Sequence, residues 1–105
     1  MKRKAKDVTS VSHDECVIRE LRERPKFAAE YLKAALEDTE EPAVLLIALR
    51  RIAEARGGIA KVARGAGIER KSLSRELSAR GKPRLSTLVA VAKAAGLKLT
   101  VEAAR

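Results

Sequence analysis

The sequence predicts an all-α protein: a bundle of five to six helices containing a helix-turn-helix, closed by one short C-terminal β-strand. Three observations predict it. Apolar residues recur at helical spacing in successive segments. Pro, Gly and acidic breaks separate those segments. Apolar residues make up 46% of the chain, yet Phe27 and Tyr31 are its only aromatic residues. The core must therefore be built from Ala, Leu, Val and Ile, which suits small helices packed closely. At 105 residues the chain is one domain, or one domain plus an arm.

The expected organisation is a basic tail over 1–11, a helical arm over 12–41, and a helix-turn-helix domain with its strand over 42–105. Lys2, Arg3, Lys4 and Lys6 of the tail read first as a solvated terminus and second as phosphate contacts. Ser12 and Glu15 form a capping-box pattern that starts a helix at about 13–23, with Val17, Ile18 and Leu21 on one face. Pro25 fits the first turn of a second helix, about 25–37. Its stripe of Phe27, Ala28, Tyr31, Leu32, Ala35 and Leu36 is read as core, with docking onto a partner protein as the alternative. Residues 37–41 are an acidic linker in which Thr39 is the expected N-cap of a third helix. That helix runs to about Ala55, turns Leu45, Ala48, Leu49 and Ile52 inward, and stops at Gly57-Gly58.

Next come a short helix (Ile59–Gly65), a glycine turn (Ala66–Ile68) and a second helix (about Arg70–Ala79). Ile59, Val62, Ala63 and Ala66 are expected to face the core from the first, and Ile68, Leu73 and Leu77 from the second. Two helices joined by a tight Gly-containing turn have the shape of a DNA-binding helix-turn-helix. Arg80–Arg84 is a basic loop. Ser86 is the expected cap of a helix at about 87–95, ended by Gly96. Leu97–Glu102 alternates with period two, the pattern of a half-buried strand. A lone strand cannot satisfy its backbone, so it must pair with its twin in a dimer, with a partner's strand, or in a hairpin.

Net charge is +9, which points to a polyanion. The excess is localised. Residues 1–41 hold 9 Lys/Arg against 10 Asp/Glu, a net of −1, whereas residues 42–105 hold 14 against 4, a net of +10. Eight of these cations fall within 60–84. On the second motif helix, Arg70, Lys71 and Arg75 are the candidates for reading base edges, with Ser72 and Ser74 beside them. Lys61, Arg64, Arg80, Lys82 and Arg84 are placed to hold phosphates. No aromatic is interleaved among these residues, which argues for duplex rather than single-stranded nucleic acid.

Other chemistries find no support. Cys16 and His13 are single, so neither a disulfide, a zinc site nor a catalytic set is suggested, and no cofactor is expected. Gly65-Ala66-Gly67 lacks the Gly-Lys-Ser/Thr ending of a phosphate loop. No apolar run reaches membrane-spanning length. The basic start is not followed by an apolar segment of signal type. A reducing, cytoplasmic setting is the simplest fit.

A family resemblance is carried by Val62-Ala63, Gly67-Ile68, Ser72-Leu73-Ser74-Arg75, Gly81-Lys82-Pro83-Arg84-Leu85-Ser86-Thr87-Leu88 and Ala92-Lys93-Ala94-Ala95-Gly96-Leu97. Ile59–Ala95 thereby looks like a Cro/phage-repressor type of helix-turn-helix. Glu69 stands where that type commonly has Ser or Thr. PKFAAEYLKAALED (25–38), ALRRIAEARGG (48–58) and LKLTVE (97–102) extend the likeness to the addiction-module antidote proteins, the HigA-like antitoxins. The resemblance implies a non-enzymatic antitoxin that neutralises a RelE/HigB-like ribonuclease toxin. It also implies a dimer that binds operator DNA and represses its own operon. It places the base-reading slots on Arg70, Lys71 and Arg75. A stand-alone Cro/C1-type regulator and a non-DNA-binding interaction module remain the alternatives.

Overall fold

A computed structural model of the chain describes residues 9–38 and 41–104. Among them are six helices: α1 (Thr9–Glu23), α2 (Pro25–Glu37), α3 (Pro42–Ala55), α4 (Ile59–Ala66), α5 (Arg70–Glu76) and α6 (Leu85–Ala94). The architecture is all-α.

Helix α3 is the hub. It packs against α1, α2, α4 and α6, while α1 pairs with α2, and α4 with both α5 and α6. A helix covered by so many neighbours must be apolar over a wide arc. Accordingly α3 buries Leu46, Ala48, Leu49, Ile52, Ala53 and Ala55. The core is one cluster running from Leu21, Ala28 and Leu32 through Leu49 and Ile52 to Val62, Leu73, Leu77 and Val91. Small Ala53, Ala63 and Ala92 within it let helices approach closely. Phe27 and Tyr31 pack against this cluster, half-buried, with ring centroids 5.8 Å apart. The Tyr31 hydroxyl accepts from Arg51 Nη1 at 3.0 Å.

Arginines hold helix ends together. The last carbonyls of a helix lack intrahelical partners and carry the negative end of the dipole. Arg22 Nε donates to the Ala55 carbonyl at the end of α3 (3.3 Å), and Arg56 Nε to the Ala94 carbonyl at the end of α6 (3.1 Å). Arg50, also on α3, donates to the Leu77 carbonyl just past α5. Part of the basic excess is therefore structural.

Several expected boundaries move. Helix α1 already includes Thr9, so Ser12 lies inside it and does not open it as an N-cap. Thr39 lies outside the described residues; α3 begins at Pro42 with Glu41 in the N-cap position. Leu36 is exposed rather than buried. Ala66 is the last residue of α4 and exposed, and the turn is Gly67–Glu69. Helix α5 stops at Glu76, short of Ala79. There the Arg75 carbonyl accepts both the Ser78 hydroxyl (2.8 Å) and the Ser78 amide (3.2 Å), which draws the chain out of the helix. Helix α6 starts at Leu85 behind Arg84, so Ser86 is inside it and does not cap it. Residues 97–102 form no strand, because α2 rather than another extended segment lies beside them and no strand is present among the described residues to complete a ladder.

Candidate nucleic-acid interface

Local chemistry sets the geometry of α4, its turn and α5. Gly67 ends α4 in the left-handed region at φ 70°. Its N–H bonds to the Arg64 carbonyl (3.3 Å) and the Ile68 N–H reaches back to Ala63 (2.9 Å). This pair of bonds is the Schellman ending, which favours Gly because other residues pay a Cβ clash there. Glu69 then takes the N-cap position in extended conformation, and its carbonyl accepts the Leu73 N–H at 3.0 Å. Buried Val62, Ala63, Leu73 and Leu77, with half-buried Ile68, hold the two helices to the core.

That anchoring leaves one face of α5 in solvent. Arg70, Lys71, Ser74 and Arg75 line a single shallow depression together with Ser78. All five are exposed. Ser78 is not among the residues that the sequence marks for DNA, although it continues the Arg70/Lys71, Ser74/Arg75 spacing by one more turn. Ser72 is set apart. It is half-buried, and its hydroxyl donates to Glu69 Oε1 at 3.3 Å across the helix start. The Glu69 carboxylate thus has a partner on its own helix.

The basic loop beyond α5 is braced by Glu76. This carboxylate is only 13% exposed. Its Oε1 accepts the Thr87 hydroxyl and the Arg84 backbone N–H (3.0 Å), and its Oε2 lies 3.5 Å from Arg84 Nε. These hydrogen bonds, Thr87 first, hold the Glu76 carboxyl below its usual range. The negative charge also sits at the positive end of α6. Gly81 is needed for the close return of the loop: a Cβ there would run into the carbonyls of Glu76 and Arg75.

The remaining predicted cations are distributed around this centre. Arg64, Arg80 and Lys82 are exposed. Lys61 lies elsewhere, lining an apolar groove between α4 and α6 with Leu85, Val89 and Lys93. Three ion pairs occur among the described residues: Arg24–Glu20, Arg51–Asp14 and Arg84–Glu76. Of the eight predicted DNA-facing cations, only Arg84 takes part in one.

Among the described residues no group of three or more His, Cys, Asp or Glu is placed to hold a metal ion, and no helix is long and apolar enough to cross a membrane. Cys16 is exposed, with Arg19 Nη2 3.8 Å from its sulfur.

Comparison with known proteins gives one finding. A family model described as "Probable addiction module antidote protein" matches residues 7–103. No curated protein and no solved structure matches the chain.

Proposed function

The chain belongs to the probable addiction module antidote family, and from that premise we propose that it is an autorepressing antitoxin that grips operator DNA through α4, the Gly67 turn and α5. The family membership itself makes it the antitoxin of a toxin–antitoxin pair, non-enzymatic, with a cognate toxin as its partner. The remaining features are our reading: a HigA-like homodimer in the cytoplasm, a RelE/HigB-like toxin, a Cro/C1-type helix-turn-helix and repression of its own operon.

The observation that carries the DNA reading is the exposed face of α5. Arg70, Lys71 and Arg75 share one depression, take part in none of the ion pairs found, and sit on a helix held rigidly from behind by Leu73 and Leu77. Exposed cations outside those ion pairs, on a helix packed from behind, suit the major groove. Arg80, Lys82 and Arg84 follow on a braced loop, where they suit backbone phosphates. Arg64 extends the same role on α4. Lys61 takes a phosphate role only if the duplex also reaches the α4–α6 side.

A mobility-shift assay on the promoter region of its own operon, with and without toxin, tests the reading. A shift at low salt that random duplex competes away poorly is expected. Absence of any shift under both conditions rules out the DNA role and leaves the antitoxin role standing.

A further inference from the structure

The residues after α6 carry a pattern that the chain alone leaves unused. Leu97 and Leu99 are half-buried and line a groove with Leu32 and Leu36 of α2; Lys98, Thr100 and Glu102 border the same groove but are exposed, and Val101, outside it, is 97% exposed. The Leu97 N–H bonds to the Ala92 carbonyl at 2.8 Å. Beyond it, none of the backbone hydrogen bonds outside helices involves residues 98–104 among the described residues. An alternating, β-favouring segment with free backbone donors and acceptors is a template for strand pairing.

We propose that residues 97–102 pair antiparallel with the same residues of a second copy, in the register that sets Thr100 opposite Thr100 of the partner subunit. This rests on the homodimer reading above and specifies how the dimer closes. A two-fold contact demands a self-complementary surface, and in this register the segment is one. Lys98 faces Glu102 of the partner subunit, and symmetry repeats that ion pair. Leu99 faces Val101 of the partner subunit. Lys98, Thr100 and Glu102 form a polar face, while Leu97, Leu99 and Val101 form an apolar one. Val101 gains cover that its own chain does not give it, beside exposed Leu36.

Other registers are worse. A shift of one residue sets Lys98 opposite Val101 of the partner subunit or Ala103 of the partner subunit and mixes the faces. Shifts of two keep the faces but part Lys98 from Glu102. Shifts of four set Lys98 or Glu102 against itself, and like charges directly opposite are destabilising.

Sedimentation and thiol cross-linking test the register in a Cys16→Ser background. Thr100→Cys should give cross-linked dimers with a short thiol-reactive reagent, since directly opposed side chains lie close. Lys98→Glu should weaken self-association by roughly tenfold, and Lys98→Glu/Glu102→Lys should recover it to within about threefold of the parent. A dimer that ignores Lys98→Glu, that the double variant fails to rescue, or that does not cross-link at position 100, overturns the register while the dimer stands. A parent protein that stays monomeric overturns the dimer reading as well, and frees this edge for a strand of another protein.

Discussion

Two kinds of polar residue on α5 act in different ways, and single substitutions separate them. Arg70, Lys71 and Arg75 point into solvent, so replacing Lys71 or Arg75 by Ala should leave folding intact. It should cost about 1–3 kcal/mol of operator binding and relax selectivity. Competition between operator and random duplex measures this; equal losses on both would make these residues phosphate contacts. Glu76 points inward to Thr87 and Arg84. Glu76→Gln should destabilise the fold by about 1–3 kcal/mol, because the amide keeps an oxygen for Thr87 and the Arg84 N–H but loses the negative charge that strengthens both bonds and its pairing with the Arg84 guanidinium. Its pH dependence has a definite sign. The folded carboxyl titrates below its ordinary value, so its stabilisation is complete above the ordinary, unfolded value. It is lost as pH falls through the lower, folded value. Denaturation curves at neutral and acid pH should converge for parent and Glu76→Gln, and parallel curves would contradict this role.

At the scale of elements, burial decides the arrangement and remote side chains decide the ends. Leu49, at the centre of α3, is 0% exposed; Leu49→Ala should cost about 2–5 kcal/mol, readable as a lower midpoint in chemical denaturation. A loss under about 1 kcal/mol would mean that α3 is not the hub. Most helices were legible in the sequence because Phe27–Leu36, Leu45–Ile52 and Leu88–Ala95 repeat at helical spacing, and because Gly57, Gly67 and Gly96 end helices as expected. Their ends were less legible. Helix α6 begins early because Glu76, nine residues before it, receives the Arg84 N–H and the Thr87 hydroxyl. Helix α5 ends early where Ser78 folds back and Arg50 of α3 takes the Leu77 carbonyl. No local pattern announces such contacts. The candidate site was legible to the same degree. Helical spacing alone gathers Arg70, Lys71, Ser74 and Arg75, whereas only the fold turns Ser72 toward Glu69 and puts Lys61 in the α4–α6 groove.

At the scale of the whole molecule, the chain divides its charge by task. Arg22, Arg50 and Arg56 close helix ends inside the fold, while the cations of α5 and the loop after it are left to the outside. α3 ties the near-neutral α1–α2 pair to the basic α4–α6 group, so a toxin held on one group and DNA held on the other would be mechanically joined through one helix. DNA binding should therefore be strongly salt-dependent, with a slope that falls by about one for each phosphate contact removed, as in Lys82→Ala. The most direct measurement is a salt titration of binding to the operon's own promoter. It compares the parent with a variant carrying Arg70→Ala, Lys71→Ala and Arg75→Ala. The parent should bind the promoter well above random duplex, and the triple variant should keep its fold while losing that preference. Equal preference in the two proteins would place DNA recognition somewhere other than α5.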